Sequence, residues 1–158
     1  MTPNIGINDS NRQAVSQILA AVLADEHVLY VKTRNYHWNV VGPQFNDLHK
    51  FLEQQYNLLE ESIDAVAERI RTLGSKSPGT MTEFVKLARL KEEPGKFPNA
   101  RSMVGNLLAD HETLIRQLRT DLEACGSRFG DAGTNDFLTG LMEQHEKMAW
   151  MLRAFLEE

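Results

Sequence analysis

Five side chains on one stretch have the types and spacing to hold a metal ion. His49, Glu53, Glu60, Asp64 and Glu68 follow one another at steps of four or near multiples of four within QFNDLHKFLEQQYNLLEESIDAVAERIRTL, residues 44–73. On a helix this spacing lays them in one stripe. The stripe runs beside the apolar one rather than opposite it, and no Lys or Arg occupies its positions. Clustered carboxylates repel, so one of them takes up a proton unless a cation sits among them. A mixed set of carboxylates and imidazoles suits Fe(II) and also accommodates Zn or Mn. The plain alternative is a solvated face. For Glu60 and Glu61, one turn before Asp64, that alternative weighs about equally with a role in binding cations.

Distance along the helix limits how these groups can cooperate. His49 and Asp64 are fifteen residues apart, which at ~1.5 Å per residue is roughly 22 Å. Metal–ligand bonds are on the order of 2 Å, so one ion cannot touch both within one chain. Either the stripe holds two unrelated pairs, or two copies of the helix lie antiparallel across a twofold axis. In the second case His49 and Glu53 of one copy face Asp64 and Glu68 of the other, and the symmetry makes two equal sites.

The elements that position these groups read as helices throughout. Residues 44–73 form one long helix, with apolar residues from Leu48 to Leu73 near a period of 3.6. Gly42-Pro43 precedes it and Gly74 marks its stop. A first helix is expected over residues 11–38 with Asp9 or Ser10 as N-cap, and the short turn 39–43 makes it the antiparallel neighbour of the second. Residues 74–98 carry Pro78-Gly79, Pro94-Gly95 and Pro98 and form a crossover. Within it, Thr80 and Glu83 make a capping box opening a short helix over 81–89. A third helix follows over 100–125, stopped by Gly126, and a fourth over 135–156 with Thr134 as N-cap. The expected fold is all-α: one domain over residues 1–158, a four-helix bundle with one long crossover and a short N-terminal tail, residues 1–10.

Other chemistries are excluded by spacing. An intrachain di-iron centre of the bundle type needs Glu-x-x-His on two helices, and no His in the chain has Glu three residues before it. His-Glu-x-x-His is absent too. His111 and His145 fall on the core stripes of the third and fourth helices and read as satisfied interior histidines; His27 is uninformative. His37, near the end of the first helix, has a bland reading as well, since such a residue more often bonds a carbonyl than a metal. Cys125 is alone, so no intrachain disulfide forms, and it reads as a small buried hydrophobe.

The net charge of −5 argues against a nucleic-acid partner, because phosphate affinity comes chiefly from Lys and Arg. The only basic residue before Lys32 is Arg12, and the chain ends Glu157-Glu158. DNA compaction through the N-terminal tail is therefore not expected. No stretch reads as a membrane span or a secretory leader, so the chain is expected in the cytoplasm.

Tyr36-His37-Trp38, Gly42, Phe45, Leu48-His49, Glu53, Asp64, Ala67-Glu68-Arg69 and Leu73-Gly74 together resemble the signature of the Dps family, the ferritin-like mini-shell proteins of bacteria. The resemblance covers nearly the whole chain. It implies a ferroxidase with iron ligands His37, His49, Glu53, Asp64 and Glu68, shared across a twofold axis within a dodecamer. It implies oxidation of Fe(II) to Fe(III), hydrogen peroxide as preferred oxidant, and ferric oxide stored in the shell. One position departs: where the family usually has Asp, this chain has Glu53, one methylene longer. The resemblance further implies a redox-active, iron-shielding Trp38, mineral nucleation at Glu60 and Glu61, and a pore lined by Asp131 and Asp136. For the last two, a helix N-terminus that favours negative charge is an equal explanation. Two other classes stay open: a nucleoid protein that compacts DNA with a vestigial metal site, and a bundle valued for its surface.

Overall fold

A computed structural model describes residues 2–157. Five α-helices are present: α1 (Asp9–Asn39), α2 (Phe45–Thr72), α3 (Met81–Leu87), α4 (Ala100–Glu123) and α5 (Ala132–Ala154). No strand occurs among the described residues. Helices α1 and α2 form one antiparallel hairpin and α4 and α5 the other; residues 73–99 cross between them and lay α3 on α1. The bundle and its crossover are as the sequence implies. Leu19, Leu23 and Leu29 of α1, Leu52 and Leu59 of α2, Leu107, Leu114 and Leu118 of α4, and Leu138 of α5 are fully buried between the hairpins.

The chain ends its second helix with two glycine-dependent bonds. Gly74 has φ +90, its N–H donates to Arg71 O at 3.0 Å, and Ser75 N–H donates to Ile70 O at 3.3 Å. That pair is the Schellman arrangement, which needs a residue at ease with positive φ. The N-terminal segment seats itself against this end. The Pro3 ring would lie 2.7 Å from a Cβ at Gly74, and buried Arg12 donates to Pro3 O and pairs with Asp9. Arg12 is thus already bonded within the chain. Glu158, the last of the terminal acids, lies outside the described residues.

Three helix boundaries differ from expectation, each for a local reason. Asn8, not Asp9 or Ser10, caps α1, its side chain accepting from Asn11 N at 2.9 Å. Asp131 rather than Thr134 caps the last helix, accepting from Thr134 N at 2.9 Å, so that helix begins at Ala132. Gly126 does not stop α4: the helix widens into a five-residue π turn, Ala124–Arg128. The glycine is there for closeness, since a Cβ would come within 3.0 Å of the Asn135 amide, which donates to Leu122 O at 2.7 Å. The reversal itself falls at Gly130, φ +68. Cys125 sits in the π turn fully buried, and burial pushes its thiol up to about 12, which keeps it inert as a nucleophile.

The crossover is fastened by charge. Asp25 of α1, with no exposed surface, accepts from Arg89 N at 2.6 Å, Leu90 N at 3.0 Å and Arg89 Nε at 2.7 Å; Arg89 Nη1 reaches Asp121 of α4 at 2.8 Å. His27 stacks on Phe84 of α3 with centroids 3.7 Å apart. The capping box is present, Thr80 and Glu83 each satisfying the other's backbone N–H. Thr80→Ala is expected to lower stability by about 1 kcal/mol, read as a small shift of the chemical-denaturation midpoint with an unchanged slope.

One amendment concerns membranes. An 18-residue window of α1 reaches a mean hydropathy of 1.3, long and apolar enough to cross a bilayer by composition alone. Of that window 56% is buried in the bundle, where a core helix keeps its apolar residues.

Candidate metal centre

The end of α1 and the first turns of α2 bring His37 and His49 face to face. Their rings stack with centroids 3.8 Å apart and planes 20° from parallel. Each ring bonds the other residue's backbone: His37 Nδ1 to His49 O at 2.8 Å, and His49 Nδ1 to His37 O at 2.9 Å. A carbonyl only accepts, so both Nδ1 atoms carry a proton and in the neutral rings both Nε2 atoms offer a lone pair. This is how a protein prepares imidazoles for a metal, with the second nitrogen fixing tautomer and ring plane. The bland reading of His37, a carbonyl-bonded histidine, is correct for Nδ1 and leaves Nε2 free.

Around the pair lies an aromatic wall that sequence reasoning missed apart from Trp38. Tyr56 meets the His37 ring edge-on at 5.2 Å, and Phe45 lies 5.1 Å from His49. Arg34 sits over Tyr30, Trp38 and Tyr56 at 5.5, 5.1 and 5.0 Å and donates to Tyr30 Oη at 2.7 Å. That bond, more than the nearby charges, raises the Arg34 pKa above its ordinary value. The signal was available as Tyr30, Arg34 and Trp38 at steps of four on one helix. Trp38 is 63% exposed, so in this chain its ring meets Arg34 and is otherwise largely open to solvent. The Tyr56 hydroxyl makes a long contact of 3.5 Å with Glu53 Oε1. Desolvation first and the Glu53 charge second raise its pKa, keeping the phenol protonated.

The acids divide differently. Glu53, Asp64 and Glu68 are exposed and none forms an ion pair among the described residues. No three candidate ligands of the described chain converge on a common point. The chain thus presents two imidazoles at one end of α2 and two exposed carboxylates near the other. Glu60 is exposed and its charge adds to the raising of Arg34's pKa. Glu61 and Asp136 line one open groove of about 440 Å³ between α2 and α5. Asp131 stands apart: it is buried, caps α5, and bonds Arg69 at 3.0 Å and Thr134 Oγ1 at 2.6 Å. Its carboxylate is spent on the helix start, the explanation that weighed equally in the sequence.

A bundle of two helical hairpins with a helix-bearing crossover defines a ferritin-like protein, and residues 16–158 match the ferritin-like domain family. The chain belongs to that superfamily and, within it, to the Dps family. It is 36% identical over 148 residues to DNA protection during starvation protein 2 of Bacillus anthracis, covering 94% of this chain and 99% of the relative. A low temperature-induced protein of Nostoc sp. is 55% identical over 154 residues, covering 98% of this chain and 86% of that one. The crystal structure of a Dps protein from Vibrio cholerae O1, described as a member of a broad superfamily of ferritin-like diiron-carboxylate proteins, superposes with a TM-score of 0.91. It is 34% identical, and the match covers 99% of this chain and 97% of that one. Iron storage or DNA protection is the general business of this family.

Proposed function

We propose that the chain is a ferroxidase and iron-storage subunit of the Dps kind. Fe(II) is its substrate and ferric oxide the product held inside a hollow dodecamer. The observation that carries this reading is the reciprocal bonding of His37 and His49, which leaves two metal-ready Nε2 atoms side by side. Half a site is of little use alone, and the missing carboxylates exist elsewhere on α2. In a twofold pair of antiparallel α2 helices, Asp64 and Glu68 of one subunit meet His37, His49 and Glu53 of the other. Carboxylate oxygens and neutral imidazoles together suit Fe(II), and Zn or Mn can substitute. Glu68 would hold the first ion or be shared between two, and the longer Glu53 would serve the second position from the imidazole side.

Each of two Fe(II) ions gives up one electron; the O–O bond of hydrogen peroxide accepts both and leaves as two hydroxides. Iron is thereby sequestered and peroxide consumed in one event, and hydroxyl-radical formation is avoided. Trp38, next to His37 in the chain, would serve as a nearby ring that reactive species oxidise. Glu61 and Asp136 offer acids where cations enter or nucleate, with Glu60 beside them. The protein works in the bacterial cytoplasm on this reading. The Bacillus relative's name points to DNA protection, which sequestration alone delivers; direct compaction finds no support in a chain of net charge −5 whose Arg12 is already bonded. The test is the initial rate of Fe(II) oxidation with stoichiometric peroxide against the rate in air. A rate at least about tenfold higher with peroxide is expected, and equal rates would defeat the choice of oxidant.

A further inference from the structure

Three charged or titratable side chains meet in the middle of the bundle, far from any solvent. Glu26 of α1, His145 of α5 and His111 of α4 are 0%, 0% and 1% exposed. His145 Nε2 lies 2.7 Å from Glu26 Oε1, and His145 Nδ1 lies 2.9 Å from His111 Nδ1. The second oxygen, Glu26 Oε2, is buried with no hydrogen-bond partner. Among the described residues Glu26 has no ion-pair partner but His145. The buried residues of α2 include no acid, base or histidine. The other buried charges of α1, Arg12 and Asp25, are taken by Asp9 and by Arg89, and α4 and α5 bury no further ionisable side chain.

Hydrogen-bond bookkeeping then fixes the choices. Each of the two contacts needs one proton between its atoms. With only those two protons the triad is a carboxylate and two neutral imidazoles, a net negative charge in a dry core with one oxygen unpartnered, which is strongly unfavourable. A third proton makes the triad neutral and breaks neither bond. It can reside as imidazolium on His145 or as carboxylic acid on Glu26, with His111 then protonated at Nε2. A second imidazolium cannot form, because two nitrogens 2.9 Å apart share a single proton. We propose that Glu26, His145 and His111 form a proton-binding site in the bundle core that holds one proton beyond the neutral histidine pair and admits no more.

Burial first and His145 second depress the His111 pKa well below its ordinary value, consistent with a proton kept on the His145–Glu26 side. The linkage has two arms. Between the ordinary carboxylate and imidazole ranges the unfolded chain protonates both imidazoles and the folded core takes one, so stability falls as pH falls. Above the imidazole range the unfolded chain holds neither proton and the folded core still holds one, so stability falls as pH rises. The triad thus centres subunit stability near neutrality.

The direct measurement is solid-state NMR of the assembled protein at pH 7.5, with histidine and glutamate labelled by ¹³C and ¹⁵N. The four triad nitrogens and the Glu26 carboxyl are assigned by their loss or shift in His111→Asn and Glu26→Gln. Three protons over those five positions are expected in the native protein. Glu26→Gln, which removes the charge at constant shape, is expected to bring the count on the two imidazoles to two and to abolish the alkaline loss of stability. Two protons in the native protein, or an unchanged alkaline arm in Glu26→Gln, would overturn the proposal. If either variant fails to fold, bond correlations in a uniformly labelled native sample assign the same signals, and the count is made there.

Discussion

On the proposed function, Asp64→Ala is expected to lower the initial rate of peroxide-driven Fe(II) oxidation by about 100-fold, since Asp64 is there a direct ligand and outer partners alone cost 10–100-fold. The variant keeps its fold, because Asp64 is exposed and bonded to nothing in the subunit. That separates loss of chemistry from loss of structure. His49→Ala is expected to be at least as impaired, since it removes one Nε2 and also the stack and carbonyl bond that hold His37. Glu61→Ala, on the same helix but lining the groove toward α5, is expected to change the rate by less than about threefold. Stopped-flow absorbance of the ferric product, with far-UV dichroism of each variant, decides it. An Asp64→Ala protein as fast as the parent would remove the acids from the site.

The largest effect on stability is expected at Asp25. Its carboxylate is wholly buried and accepts two backbone N–H groups and the Arg89 Nε. Asp25→Ala leaves two backbone N–H groups and the Arg89 Nε without their acceptor, a change that typically costs about 3–5 kcal/mol. The effect is confined to α1 and the crossover, with Asp121 still holding one end of Arg89. Calorimetry at fixed protein concentration is expected to show a melting temperature lower by about 6–20 °C. A shift under about 2 °C would mean that Asp25 does not hold the crossover.

The features legible in the sequence were those marked by residue type. Gly42-Pro43, the Leu48–Leu73 stripe and Gly74 delimit α2, because chain reversal needs glycine and burial needs a 3.6-residue period. Thr80 and Glu83 announce α3 in the same way. Boundaries that rest on competition between neighbours were not legible. Asn8, Asp9 and Ser10 are all competent caps, and the bond to Asn11 alone decides among them. Gly126 looked like a stop and serves instead to admit Asn135. At the metal centre the resemblance named His37 and His49, yet the reciprocal bonds that prepare them use backbone carbonyls, which every residue possesses. Arg34 could have been found from its place four residues from both Tyr30 and Trp38 on α1, whereas Tyr56 was missed because no spacing rule links it to a cation on another helix. His111 and His145 were placed in the core from periodicity. Their acid partner was not, since nothing in ADEHVL tells which of Asp25 and Glu26 faces the bundle centre and which the crossover.

The central claim is that imidazoles of one subunit and carboxylates of another make one site. It can be tested by mixing two inactive chains. One carries His37→Ala and His49→Ala; the other carries Asp64→Ala and Glu68→Ala. Each assembly alone is expected to oxidise Fe(II) at the protein-free rate. In a mixed twofold pair one site keeps only Glu53 and the other regains all five ligands. Random co-assembly should therefore restore about a quarter of the native rate, half the pairs being mixed with one working site each. A co-assembled sample, shown by mass spectrometry to contain mixed pairs, that stays as inactive as its parents would contradict the account.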